Sequence, residues 1–392
     1  MVLVHTDDPG KFTPSFSVVL PAHNAADHLA ATLSALQRQS IAHGGCEIIV
    51  VDDGSTDGTE SVARSFEGIT VVTQRRAGPS AARNRGSRES SGEVILFIDS
   101  DCVPDEYWMG EMLRPFVDPE VVGVLGRCDS TQKELIPRII QCEMDQRYAR
   151  TRLFESIDHI GTATAAYRRR AFVRFRGFDD ELRMAEDIEF SYRLARSGCR
   201  LVFSDGAIVW HKHTTSLLAH LARKFRRGFY KVQLPDAAKT IRDSYTPLYL
   251  TVRTGFAAAT ILSGIGAVLL PDAPYIVEAL TISCAATLVL SMPLPVRMAT
   301  RNPWVSLASV PVTFLVSLAM AAGALSGYLT RLFRATATLV SLVARLQPRG
   351  HRARPEQKPV DCRAEPPASG AVGRRQDNDS DDGDIGRRIE SP

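Results

Sequence analysis

The sequence predicts an α/β protein with a doubly wound, mostly parallel sheet, followed by hydrophobic C-terminal helices that cross a membrane. Three observations predict it. Short apolar runs alternate with helical repeats in the N-terminal part of the chain. Acidic pairs fall where those runs end. Three long, nearly uncharged stretches crowd into the last third.

Residues 16–20 (FSVVL) read as a short buried strand bounded by Pro14 and Pro21. Residues 26–39 follow as a helix, with Leu29, Leu33 and Leu36 at helical spacing. Residues 47–51 (EIIVV) are a second buried strand, ending in the turn-rich DDGSTDGT, where Thr56 or Asp57 is placed to cap the next helix. Residues 69–73 form a third strand and residues 79–90 a polar helix rich in Ala and Arg. Residues 94–98 (VILFI) form a fourth strand, which runs into Asp99-Ser100-Asp101. In parallel sheets of this kind ligands bind beyond the carboxyl ends of the strands, where the acidic clusters lie.

The character changes at Pro247. Residues 254–270, 276–296 (apolar apart from Glu278) and 304–329 are each suited to a hydrocarbon core, although the first is short. Buried helices of a larger soluble fold are the alternative, and three such runs in succession count against it. Beyond Leu346 the tail is charged, carries Pro and Gly, lacks aromatics, and is expected to be disordered. The domain boundaries that follow are 14–240 for a soluble domain, 248–330 for a transmembrane region and 347–392 for the tail.

Composition narrows the function classes. The net charge of +3 is too small to imply nucleic acid. Seven Cys without a CxxC pair fit a reducing compartment better than a disulfide framework. The opening MVLVHTDDPGKFTPSF has no apolar core, so it does not read as a signal peptide.

Three carboxylate clusters are candidates for chemistry. Asp99 and Asp101, spaced i, i+2 at a strand end, suit a hard cation that shares substrate phosphates, or else a solvated acidic turn. Asp52-Asp53-Gly54-Ser55 suits a base or ribose contact, or a plain turn. Glu186-Asp187 precedes Ile188, Ser191, Tyr192 and Ala195 at helical spacing. That puts Asp187 in a helix first turn, where the dipole favours its ionised form and a proton-accepting role, or where it is an ordinary acidic helix start. His211 and His213 form an HxH pair without an obvious third ligand, which favours a structural or phosphate-contacting role over a zinc site. His23 and Asn24 are placed to line a nucleotide pocket.

Taken in order, five segments resemble the family-2 inverting glycosyltransferases of the GT-A fold. They are FSVVLPAHNAADHLAATLSAL, EIIVVDDGSTDGT, AGPSAARNRG, GEVILFIDSDCVPD, and GTATAAYRRRAFVRFRGFDDELRMAEDIEFSYRLARSG. The resemblance covers residues 16 to 213. It implies a nucleotide-binding GT-A sheet in which Asp53 contacts the nucleobase, with Pro21 and His23 at the pocket edge. Asp99 and Asp101 lie at the diphosphate and a divalent metal (Mn2+ or Mg2+), and Asp187 is the catalytic base. Two departures stand out. The Gln-x-x-Arg-Trp motif of processive synthases is missing, with RKFRRG roughly in its place. Gly161-Thr162-Ala163-Thr164 replaces the more usual Gly-rich or Asn-containing loop, which bears on the acceptor contacts.

The resemblance implies one in-line displacement with inversion: a single sugar passes from a nucleotide sugar (UDP- or GDP-linked) to an acceptor hydroxyl, expected on a lipid-linked saccharide. A polyprenyl phosphate acceptor and a non-catalytic membrane scaffold are the alternatives. A nucleotidyltransferase would carry a Gly-rich loop with Arg and Pro-Lys where this chain reads LPAHNAADH. The expected location is the cell membrane, multi-pass, with the catalytic domain in the cytoplasm. The cluster at 223–227 and the two Arg of loop 297–301 mark the inside, and loop 271–274, with only Asp272, suits the outside. Three spans then put the tail outside, against the preference of Arg331, Arg334 and Arg345. A break in the third segment at Pro311 and Gly323, or an interfacial helix over 333–346, would resolve that conflict.

Overall fold

The computed structural model describes residues 15–182, 184–234, 244, 248–299 and 303–346, with side chains through 337. The chain through Thr338 is one compact unit, and residues 339–392 form a second. The expected tail at 347–392, the boundary residue Pro14 and the end of the loop at 297–301 lie outside the described residues.

The N-terminal half is the predicted alternation: β1 (Phe16–Ala22), α1 (Ala26–Ala42), β2 (Glu47–Asp53), α2 (Thr59–Arg64), β3 (Ile69–Gln74), α3 (Pro79–Glu89) and β4 (Val94–Ile98). All of these strands pair in parallel, in the order β3-β2-β1-β4. β1, β2 and β4 are apolar runs because both faces are buried, whereas β3, at the end of the strand order, is partly exposed. Val18, Leu20, Val50 and Leu96 pack under α1 through Leu29, Leu33 and Leu36. Val19, Ile49, Val51 and Phe97 face α3. There α3 rides so close that a Cβ at Gly86 would collide with Val19.

Two local expectations change. β1 runs through Pro21 to Ala22 rather than stopping before it. Its pairing to β4 ends at Val19–Phe97, so from there β1 has only β2 as a partner and the missing proline N–H interrupts no ladder toward β4. Neither Thr56 nor Asp57 is the cap of α2; Gly58 is. Asp57 instead accepts from the Thr59 N–H at 2.9 Å and the Ala26 N–H at 3.1 Å, joining the starts of α1 and α2.

Beyond β4 the sheet turns mixed. β5 (Cys102–Pro104), α4 (Trp108–Leu113), a short 3-10 turn (Arg114–Val117), β6 (Val121–Asp129), α5 (Leu135–Thr151), β7 (Thr164–Arg168), α6 (Arg169–Arg174), α7 (Glu186–Arg196) and β8 (Arg200–His211) complete it. The sheet continues β4-β7-β6-β8-β5, with β7 antiparallel to both neighbours, β6 parallel to β8, and β5 antiparallel to β8. Phe97, Tyr167, Phe172, Phe178 and Phe190 form one aromatic cluster, in which Phe190 lies 5.1 Å from both Tyr167 and Phe172. That cluster fixes α7 to the sheet.

α8 (Leu217–Gln233) leads to α9 (Leu248–Leu269), α10 (Pro274–Ser291), α11 (Pro293–Ala299) and α12 (Pro303–Leu346). Three segments are long and apolar enough to cross a membrane: Leu248–Leu269, Pro274–Ala299 and Pro303–Ala337. The first is longer than residues 254–270, because the helix continues back through Arg253 to Leu248. The third is not broken. Pro311 and Gly323 sit inside one continuous 44-residue helix, and residues 333–346 are its extension rather than a separate interfacial helix. Ile136, Ile139 and Ile140 of α5 pack with Leu294 and Met298 of α11 and Val312 and Val316 of α12. At the α8–α12 crossing, a Cβ on Gly228 would strike the Met320 carbonyl and one on Gly323 the Phe225 carbonyl, so backbone meets backbone.

Candidate active site

The carboxyl end of β4, the start of β7 and the end of β8 converge on one cleft, and β2 ends at the same edge of the sheet. Ile98 pairs with Thr164, which brings residues 161–163 beside Asp99; the Asp99 N–H donates to the Ala163 carbonyl at 3.4 Å. Cys102 pairs with His211, which sets Asp101 opposite the end of β8. A cavity of about 380 Å³ lies there, lined by Asp99, Gly161, Asp187, His211, Arg223 and Arg227 among others.

Asp53, the last residue of β2, is buried. Its carboxylate accepts from Gln74 Nε2 at 2.8 Å, from the Ala77 N–H at 2.7 Å and from the Gly78 N–H at 2.8 Å. These bonds take three of about four acceptor sites and tie the loop before α3 to β2. Gly78 has φ +98°, a conformation that a side chain would strain, and this delivers α3 to the cleft. His23 Nδ1 lies 3.0 Å from the Asp53 carbonyl oxygen, and Pro21 pairs beside Val51, so both border the same strand end.

Arg83 of α3 is almost fully buried. It donates to Asp99 Oδ1 at 2.6 Å and to Glu186 Oε1 at 3.0 Å. Its neighbour Asn84 donates to the Phe178 carbonyl at 2.8 Å and to Asp180 at 2.7 Å, and accepts from the Phe178 N–H at 3.0 Å. One helix thus holds the first acidic motif, the Gly-Phe-Asp-Asp turn and the start of α7. The AGPSAARNRG motif alone gives Arg83 no role. The buried partners lie on β4 and α7, which only the topology brings together.

Asp187 is the second residue of α7 and sits half-buried on the cavity wall. The helix start was expected to favour its ionised form. Burial instead pushes the carboxyl up, and the Arg227 charge, the bond from the Ile188 N–H and Arg83 only partly offset it. Glu186 is pushed up as well, by burial and by the Asp187 charge, against Arg83. Arg227 belongs to the RKFRRG segment, which sequence reasoning set aside as a non-matching motif.

On the far side of the cleft, His211 Nε2 lies 3.2 Å from Asp101 Oδ2, and His211 Nδ1 lies 3.1 Å from His213 Nδ1. Burial would raise the Asp101 carboxyl, but the His211 bond holds it below its usual range. Among the described residues, Asp101, Cys102 and His211 offer ligand atoms within 4.8 Å of one another; His213, the other member of the HxH pair, is not in that group. Asp99 is not in that group; its carboxylate faces Arg83. Carboxylate oxygen and imidazole nitrogen suit Mn2+ or a similar divalent ion, whereas the buried Cys102 thiol is held protonated by Cys128 and by burial.

Residues 17–175 match the family model described as glycosyl transferase family 2. The chain is 30% identical over 304 residues to the pre-mycofactocin glycosyltransferase of Mycobacterium tuberculosis, covering 74% of this chain and 62% of the relative's length. It is 27% identical over 229 residues to glycosyltransferase AglE of Haloferax volcanii, covering 56% of this chain and 74% of that one. A mannosyltransferase from Pyrobaculum calidifontis, solved with GDP-Man and Mn2+, superposes with a TM-score of 0.53 at 21% identity, over 84% of this chain and 90% of that chain. The fold is therefore the expected GT-A fold, followed here by three apolar helices.

Proposed function

From a chain that carries a glycosyltransferase family 2 domain, we propose an inverting, metal-dependent glycosyltransferase that moves one sugar per event from a nucleotide sugar to an acceptor hydroxyl. The observation that carries this reading is that Asp187, Asp99 and His211 line one cavity, with Asp101 held against His211 at 3.2 Å.

Asp187 takes the proton of the acceptor hydroxyl as that oxygen attacks the anomeric carbon. Its raised carboxyl makes it a stronger proton acceptor than a solvated Asp. Asp53, with Pro21 and His23 at the pocket edge, orders the nucleotide end of the cleft. Arg83 keeps Asp99 and Glu186 in place beside the reacting groups. Asp101 and His211, with Asp99 on the donor side, would hold a divalent cation, Mn2+ or Mg2+, and such an ion would supply charge stabilisation for the departing diphosphate. The donor of the Pyrobaculum mannosyltransferase, GDP-Man, marks the donor class; a UDP- or GDP-sugar fits this chain. A lipid-linked saccharide is the acceptor that suits a domain joined to apolar helices. In this reading residues 14–240 are the catalytic domain, facing the cytoplasm, 248–330 the multi-pass membrane region, and 347–392 a polar tail.

The test is transfer from UDP- and GDP-sugars by purified full-length protein, comparing wild type with Asp187→Asn. The near-isosteric variant should keep its unfolding midpoint and lose about 10²–10⁴ in rate. Wild-type-like turnover in it removes Asp187 as the base.

A further inference from the structure

A second cavity, of about 390 Å³, adjoins the donor cleft. Glu143, Arg147, His159, Ile188, Lys224 and Arg227 line both, so the two share a wall. One end of the second cavity is made by α5 and α8. The other is made by the membrane helices α9 and α12, through Leu250, Val316, Met320 and Leu325.

The two ends differ in chemistry. Five cationic side chains line the cavity, Arg147, Lys224, Arg227, Lys231 and Arg253, against the single carboxylate of Glu143. That carboxylate is paired with the Lys224 ammonium, both groups being buried. Arg253 is 7% exposed, and its Nε has no hydrogen-bond partner among the described residues. A guanidinium buried within an apolar helix with an unmet N–H is costly unless an anion completes it. Arg253 lies on α9 itself, while Leu250, Ala258, Val316, Met320 and Leu325 of α9 and α12 give the apolar lining that suits a hydrocarbon chain.

Resting on the transferase reading above, we propose that this cavity seats the phosphate of a lipid-borne acceptor: a saccharide carried through a phosphate or diphosphate ester on a long-chain alcohol. The phosphate lies among Arg227, Lys231 and Arg253, and the hydrocarbon lies against α9 and α12. The sugar reaches across the shared wall toward Asp187. A free phosphate would use only the cationic end, and a neutral lipid only the apolar one.

The test is binding to full-length protein in detergent, with no nucleotide sugar present, of three probes: farnesyl phosphate, farnesol and inorganic phosphate. Farnesyl phosphate should bind at least about tenfold more tightly than either of the others. Arg253→Gln and Lys231→Gln should each weaken it about tenfold, while stabilisation by a nucleotide sugar with Mn2+ is retained as the check that each variant is folded. Farnesol or inorganic phosphate binding as tightly as farnesyl phosphate overturns the proposal, as does wild-type affinity in both variants. Because the half-buried Lys231 is the milder substitution, a misfolded Arg253→Gln still leaves a decisive comparison. Selective farnesyl phosphate binding in a chain that transfers no sugar supports the lipid-phosphate site and overturns only the transferase reading.

Discussion

Arg83 Nη2 lies 2.6 Å from Asp99 Oδ1, and the same guanidinium reaches Glu186 Oε1 at 3.0 Å. A single buried cation thereby joins the end of β4 to the start of α7. Replacing it with Leu should cost about 3–5 kcal/mol, since two carboxylates lose their partner in a buried setting. Arg83→Lys keeps the charge but cannot fork to both, so it should fold and still lose most transfer. Thermal unfolding and donor turnover measured on both variants check this. An Arg83→Lys enzyme with wild-type turnover would show that the fork is dispensable.

Asp101→Ala and His211→Ala should each weaken donor binding in the presence of Mn2+ and leave little difference between Mn2+ and chelator. Both remove an atom from one ligand group. Donor affinity titrated with Mn2+ and with EDTA is the measurement. If the wild type binds donor equally well in both, the cation site is not used.

Asp53→Ala should raise the donor KM with a smaller effect on kcat, because an ordering contact of the nucleotide end acts in ground and transition states alike. It should also lower stability by about 1–3 kcal/mol, as the Ala77 and Gly78 N–H groups lose their acceptor. A pure kcat defect with unchanged donor affinity contradicts the role.

His220 gives a pH signature. It is 2% exposed, neither ring nitrogen has a hydrogen-bond partner among the described residues, and burial followed by the Lys224 charge pushes it down to about 4 from 6.5. Between those values the unfolded chain holds a proton that the folded chain does not, so stability falls as pH drops from 6.5 toward 4. The loss between pH 7 and 5 is about 2 kcal/mol at most. His220→Leu should flatten that slope in unfolding midpoints taken at both pH values; an unchanged slope excludes His220 as its origin.

The strands that were legible in sequence are those buried on both faces. β1, β2 and β4 leave no polar alternation to confuse with a helix; β2 ends in acidic residues and β4 runs into Asp99, which lines the cleft. β8 was not legible in sequence. It carries Ser204-Asp205-Gly206 in mid-strand, which reads as a turn but falls where the pairing with β6 shifts register between Leu125 and Arg127. The place of Asp187 in a helix first turn was legible because α7 is strongly amphipathic from its first residue. The Arg83 fork and the meeting of Asp101 with His211 were not, because each joins elements distant in sequence that only the strand order brings together. Arg253 was left outside the first hydrophobic segment because its charge ended the apolar run, although the helix continues through it with the guanidinium turned inward.

The crossing of Gly228 against Gly323 has a mechanical consequence. Helices touching backbone to backbone cannot slide past each other on flexible side chains, so α8, which bears Lys224 and Arg227, moves with α12 as one lever. A helix of this length answers a thinner bilayer by leaning further over. Lys224 and Arg227 line the cavity that Asp187 also lines, so any lean of α12 would be felt at that wall.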